Sequence, residues 1–323
     1  MRIAWLAALI AVFGVGCNQT QPSLADGAFQ PRLPEHFPPF VYPLNNKPTE
    51  AKIELGRRLF FDPSFSGDGK TACANCHFPK HAYSDTVALS PGFLSRTGKR
   101  NAPGLFNLCW RKNFFKDGGV RNLELQVLAP LLDSLEMHFG VSQFVKKLED
   151  NQDYREAFKA AFNSAPDLQK AVQAIASFER SLLTFETPFD AFLAGDSSAL
   201  NRQEKLGFAL FYSPKTQCGS CHKGVFLSDD QFYNLGFQTT IDPGRYRITY
   251  QPMDEGKFRT PSLRNISKTW PYMHDGRFNT LEEVLAYYVK GGENNPHQDP
   301  RIQPLDLDSN QQEALLAFMR NAL

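Results

Sequence analysis

A mostly α-helical chain made of two related halves is what the 323-residue sequence predicts, and three observations predict it. A Cys-x-x-Cys-His motif occurs twice, at Cys73, Cys76 and His77 and again at Cys218, Cys221 and His222. Each copy follows a short helix pattern broken by proline, Leu55 to Pro63 in the first and Leu206 to Pro214 in the second. Beyond the motifs, Pro103 to Asn107 parallels Pro261 to Asn265, Asp117-Gly118 parallels Asp275-Gly276, and Leu123-Glu124 parallels Leu281-Glu282, all at one offset of 158 residues. A repeat this much longer than a solenoid period implies two related domains rather than an array. Strand signals are few.

Composition narrows the class. Hydrophobic residues are 42% and charged residues 21%, with a mean hydropathy of -0.38, which excludes a polytopic membrane protein and a disordered chain. Lys+Arg 35 against Asp+Glu 34 leaves a net charge of +1. Phosphate binding needs a basic excess or stripe, so nucleic acid is not the expected partner. Six cysteines are too few for a disulfide scaffold of this length, so their spacing carries the information.

In chain order, residues 1–17 read as an export signal: Met1-Arg2 is the positive end, and the apolar run Ile3 to Val15 is too short for a stable span. Gly16-Cys17 resembles the lipobox of bacterial lipoproteins, with Gly14 where that box usually has Leu, so acylation of Cys17 and ordinary cleavage nearby are both open. Either places the mature protein outside the cytoplasm. Residues 18–48 are studded with prolines and read as an extended tether or wrapping arm. Residues 49–195 form the first expected domain, ending in a helical run from Asp167 to Leu193. The polar stretch Gly195 to Ser198 then marks the join to the second domain, 196–323.

Cys-x-x-Cys-His is the attachment motif for covalent haem c. Two thioethers need cysteines about one turn apart, and the adjacent histidine then lies under the iron. A single motif would also suit half a zinc site or a redox pair; two copies in matching repeats behind an export signal favour two c-type cytochrome-like haem domains related by internal duplication. Cys109 lies outside both motifs and reads as a buried apolar residue.

The repeat is not symmetric in its chemistry. At the same offset Tyr288 falls opposite Pro130, and His274 opposite Lys116. A tyrosine on a helix can ligate an iron, and a proline has no atom that could. The first haem is therefore expected to be open and catalytic, the second closed and carrying electrons. Gln126 and Glu136 bracket Pro130; Glu136 is placed to shuttle a peroxide proton, and Gln126 to hold the distal oxygen or a water.

These residues resemble the bacterial dihaem cytochrome c peroxidases and the related MauG proteins. The resemblance runs from about Thr49 to the C-terminus and rests on both haem motifs, Arg100 to Pro103, Phe115 to Gly118, Leu123 to Met137 and Phe258 to Gly292. It implies hydrogen peroxide as substrate, reduced at the His77 haem, with electrons entering through the His222 haem from a small c-type cytochrome or cupredoxin. It places the family's catalytic pair on Glu136 and Gln126, and an inter-domain calcium on Asn101 and the carbonyls of Thr269 and Pro271, oxygen donors suited to that hard cation. It also implies periplasmic localisation and a tendency to homodimers. Arg259 and Arg264 read either as haem propionate partners or as surface cations.

Three departures bear on function. The peroxidases place Met where this chain has Tyr288, whereas MauG has Tyr; a phenolate stabilises ferric iron, and Met273 is a rival ligand. The blocking His of many peroxidases is absent from the loop Thr86 to Lys99, where Phe93 takes its place, which predicts an open site without reductive activation; His81 reads as a surface or propionate contact. The family's Trp between the haems is Lys116 here, so electron transfer would be direct or pass through Trp110, Phe114 or Phe115. A MauG-like oxidase acting on a protein or organic substrate, and a non-catalytic electron-transfer cytochrome, are the alternatives.

Overall fold

The computed structural model describes residues 27–238 and 242–323; the expected signal segment, Cys17 included, lies outside the described residues. The chain is mostly helical. Helix α1 (Glu50–Phe61) starts at Thr49, whose hydroxyl accepts from the Lys52 N–H, and stops before Asp62-Pro63. The first Cys-x-x-Cys-His follows. Helices α2 (Leu123–Leu132), α3 (Val141–Asp150), α4 (Gln152–Phe162) and α5 (Leu168–Ser181) complete the first core. The second core is built from α6 (Pro188–Leu193), α7 (Arg202–Phe211), α10 (Leu281–Lys290) and α11 (Ser309–Ala317). Between α7 and α10 come two short helices, α8 (Cys218–Cys221), which carries the second cysteine pair, and α9 (Tyr246–Thr249). The ordered sheet among the described residues is one antiparallel pair, β1 (Phe232–Tyr233) on β2 (Phe258–Arg259). No helix among the described residues is long and apolar enough to cross a membrane.

The same packing device holds each motif-bearing helix. In α1, a Cβ on Gly56 would stand 2.0 Å from the Ala174 carbonyl of α5; in α7, a Cβ on Gly207 would stand 2.0 Å from the Ala314 carbonyl of α11. Only glycine allows helices to approach so closely. Helix α5 is buried at every residue from Ala171 to Arg180, and its small residues Ala171, Ala174 and Ala176 permit this.

The single helical run expected over Asp167 to Leu193 is two helices. The backbone turns extended at Leu182, and Pro188 opens α6 behind a Thr187 cap. Phe189 belongs to the second core and Leu182 to the first, so the change of core falls between them, upstream of the polar stretch at 195–198.

The proline-rich segment packs as an arm from residue 27 onward. Phe37 is buried against Trp110, Phe185 and Phe226, with the Arg264 guanidinium over its ring. Trp110 Nε1 donates to the Pro39 carbonyl at 2.9 Å. Asn46, fully buried, donates to Glu124 and to the Gln173 carbonyl.

Candidate active site and haem-binding sites

Both motif histidines are prepared as metal ligands. His77 Nδ1 lies 2.8 Å from the Tyr83 carbonyl, and His222 Nδ1 lies 3.0 Å from that of Leu227. A carbonyl can only accept, so Nδ1 carries the proton and Nε2 keeps the lone pair that binds iron. Burial also holds both imidazoles below their ordinary pKa, in the neutral form a metal requires.

The cysteines suit thioethers better than a redox pair. Cys73, Cys76, Cys218 and Cys221 are unpaired thiols, and burial raises all four, Cys76 to about 11. A redox-active thiol is instead held low. Among the described residues no group of three His, Cys, Asp or Glu side chains comes together to hold a metal ion. The donor set thus fits haem c at each motif: two thiols for the porphyrin edge and one imidazole for the iron. Cys109 is buried apolar, as expected.

The second motif opens onto a large cavity lined by Cys218, Cys221, His222, Met273 and Tyr288. Tyr288 is held protonated by burial, its pKa well above the usual phenol range. The neighbouring Tyr287 is committed elsewhere, its hydroxyl donating to the Leu235 carbonyl at 2.9 Å. Met273 sits in the left-handed region at φ 76. Its carbonyl accepts from Lys116 Nζ at 3.0 Å, which crosses over from the first half. Desolvation lowers that amine to about 7. His274, opposite Lys116 in the sequence match, stacks on Phe258 at 3.9 Å and is lowered to about 4 by burial.

Gln126 lies in α2, and Pro130 in that helix's last turn. Glu136 is not helical; it sits in a turn folded back on α2, with its N–H on the Asp133 carbonyl and the next N–H, of Met137, on that of Pro130. The side chain is exposed. Desolvation, with the Asp133 charge added, pushes its carboxyl up to about 7. Its charge reaches both Cys73 and Cys76. A carboxyl that titrates near neutrality beside a reaction centre can both take and return a proton.

Asn101, Thr269 and Pro271 line the same cavity as the second motif. Asn101 is buried, with Nδ2 donating to the Val87 and Ala88 carbonyls. Arg259 and Arg264 are not surface cations: Arg264 forms a two-pronged buried pair with Asp190 at 2.6 and 2.8 Å, and Arg259 pairs with Asp230 at 2.9 Å. His81 is half-buried beside Trp270. Sequence reasoning missed Glu179, whose Oε2 is buried without a partner, and Asp85 and Ser90, whose buried Oδ2 and Oγ are likewise unpartnered. The all-round burial of α5 betrays Glu179; no local signal marks the other two.

Two Cys-x-x-Cys-His motifs, each with its imidazole prepared as a metal ligand, fit two haem c groups. The comparisons agree, and the chain belongs to the di-haem cytochrome c peroxidase family. The sequence model of that family matches residues 50–198. The methylamine utilization protein MauG of Methylorubrum extorquens is 35% identical, covering 94% of this chain and 86% of that protein. Cytochrome-c peroxidase IdrP1 of Denitromonas iodatirespirans is 33% identical over 94% of this chain and 89% of its own length. The cytochrome c551 peroxidase of Pseudomonas aeruginosa is 32% identical over 81% and 77%. Among solved structures, a MauG-like protein associated with microbial copper homeostasis superposes with a TM-score of 0.87 at 32% identity, covering 91% of this chain and 95% of that one.

Proposed function

We propose that this protein reduces hydrogen peroxide to water at the haem carried by Cys73, Cys76 and His77. Electrons enter through the haem carried by Cys218, Cys221 and His222, from a small c-type cytochrome or cupredoxin outside the cytoplasm. The observation that carries the reading is Glu136: a carboxyl raised to about 7, within electrostatic reach of the first cysteine pair and of neither cysteine of the second. When bound, haem c supplies the iron at which the O–O bond is cleaved. Hydrogen peroxide takes up two electrons and two protons to give two waters. Glu136 accepts the proton of one peroxide oxygen and returns it to the other, so that the departing oxygen leaves as water rather than hydroxide. Gln126 offers an amide N–H and a carbonyl to the same oxygen or water. His77, its Nδ1–H tied to the Tyr83 carbonyl, would hold the iron with its imidazole fixed in orientation.

The second centre is assigned to electron transfer because Tyr288 lines its cavity with His222, whereas the matching Pro130 offers no ligand. The parallel glycine contacts of α1 and α7 support internal duplication of one haem domain. Asn101 with the Thr269 and Pro271 carbonyls is assigned to calcium, the signal at 1–17 to periplasmic export with Cys17 as a lipid anchor, and the assembly to a homodimer.

A MauG-like oxidation of a protein or organic substrate is the second reading, favoured by Tyr288 and opposed by Lys116, which cannot relay a hole. The test of the main reading is Glu136→Gln in the doubly haem-loaded protein. Peroxide turnover is expected to fall by about 10²–10⁴-fold with both haems still reducible; retained turnover overturns it. Low-temperature EPR of the oxidised protein is expected to give one high-spin and one low-spin ferric signal. Two low-spin signals without turnover would leave an electron carrier.

A further inference from the structure

Glu136 has no regular element beneath it, yet its backbone is gripped from two sides. The Phe93 N–H donates to the Glu136 carbonyl at 2.6 Å, and the Gly67 N–H donates to the Met137 carbonyl at 2.8 Å. Gly92 is buried so tightly against this turn that a Cβ would stand 2.1 Å from the Leu135 carbonyl oxygen and 2.7 Å from Glu136 Cα. A Cβ on Gly67 would stand 2.7 Å from the His138 carbonyl and 2.8 Å from the Phe93 ring. That ring also packs on His138 at 4.7 Å.

The turn that carries Gly92 and Phe93 is itself closed. The Gly92 N–H bonds the Arg96 carbonyl at 2.7 Å, Pro91 pairs with Thr97, and the Leu94 N–H reaches Asp68 at 3.3 Å. Gly92 has φ −102 and ψ −147, outside the left-handed region that favours glycine. The close contact is what calls for glycine here.

We propose that the Gly92–Phe93 turn is a positioning clamp for Glu136, setting where its carboxyl stands. The inference rests on Glu136 being the catalytic acid–base residue. Groups aligned for proton transfer lose about 100-fold in rate when displaced by roughly 1 Å. The charged and titratable groups around the turn are Asp133 and His138 on the Glu136 segment and Asp68 and Arg96 on the flanking loops, none of which replaces the clamp.

The test is Gly92→Ala in the doubly haem-loaded protein. Its added methyl must push the Leu135–Glu136 backbone outward, so kcat/KM for peroxide is expected to drop about 100-fold. Glu136 is then moved away from the neighbours that raise its carboxyl, so the acidic limb of the kcat/KM–pH profile is expected to move toward lower pH. The Gly92→Ala, Glu136→Gln double variant is expected to be no slower than Glu136→Gln alone. An unmoved limb with unchanged turnover, or losses that simply multiply in the double variant, overturns the clamp. Retained turnover in Glu136→Gln overturns the role of Glu136 itself and is a separate outcome. If Gly92→Ala does not load both haems, Phe93→Ala carries the test: it removes only the half-buried ring braced on Gly67 and His138, with the same shift of limb expected and the same results overturning the clamp.

Discussion

Gly56 and Ala174 stand so close that a single added methyl on the glycine would overlap the alanine carbonyl oxygen, and Gly207 and Ala314 repeat the contact in the second core. Gly56→Ala and Gly207→Ala are each expected to cost about 1–3 kcal/mol, the range for overpacking a closed contact. If the cores are separate folding units, Gly56→Ala perturbs the absorbance of the His77 haem on heating before that of the His222 haem, and Gly207→Ala does the reverse. Simultaneous loss of both signals in both variants would show one cooperative unit.

Glu179 predicts a stability that falls with pH. Burial raises its carboxyl from 4.5 to about 8. Between those values the folded chain holds a proton that the unfolded chain has released, so the stabilising contribution is full below about 4.5 and is lost as pH rises through about 8. Glu179→Gln keeps a neutral side chain at every pH. It is expected to flatten this decline and to exceed the parent protein above pH 8 by an amount on the order of a few kcal/mol. Denaturant melts at pH 5 and pH 9 measure it; parallel curves for both proteins would show that Glu179 titrates normally.

Asp190 is the carboxylate beneath the arm. It accepts two hydrogen bonds from the buried Arg264 and one contact from His36 at 3.1 Å. Asp190→Asn leaves a buried guanidinium without its counter-charge, which costs about 3–5 kcal/mol. Because the Arg264 guanidinium also covers Phe37, limited proteolysis between residues 27 and 48 is expected to accelerate in step.

Tyr288 and Met273 make different predictions for the second iron. With Tyr288 as ligand, Tyr288→Phe converts the low-spin EPR signal to high-spin, and Tyr288→Met raises the reduction potential. A low-spin signal that survives Tyr288→Phe assigns the ligand to Met273.

What the sequence revealed is what short stretches of chain decide. The haem attachment motifs, the proline stops after Phe61 and the paired Leu-Gly positions are local patterns, and the structure shows helices starting and stopping around them. Glu136 became a candidate through its spacing from Gln126, but its turn conformation was not legible, because the turn is made by Asp133 and Pro130 carbonyls folding it back on α2. Contacts across long separations left no trace. Lys116 reaches Met273 over 157 positions, and Arg264 finds Asp190 over 74. Without those partners Arg264 reads as an ordinary cation and Gly92 as a loop residue. The change of core between Leu182 and Phe189 was hidden for the same reason: both flank one apolar run, and only packing tells which core each joins.

The arm imposes an order on assembly. Phe37 leaves the ribosome, and any export channel, well before the residues it rests on, because Phe185, Phe226 and Arg264 come later in the chain. The segment made first must therefore wait for most of the polypeptide before it can settle, in keeping with the slow closure of distant contacts. Until then the covered faces of both halves stay open. The arm is a latch thrown last, after both cysteine pairs have been made and while the surface around them is still accessible to whatever sews in the haems.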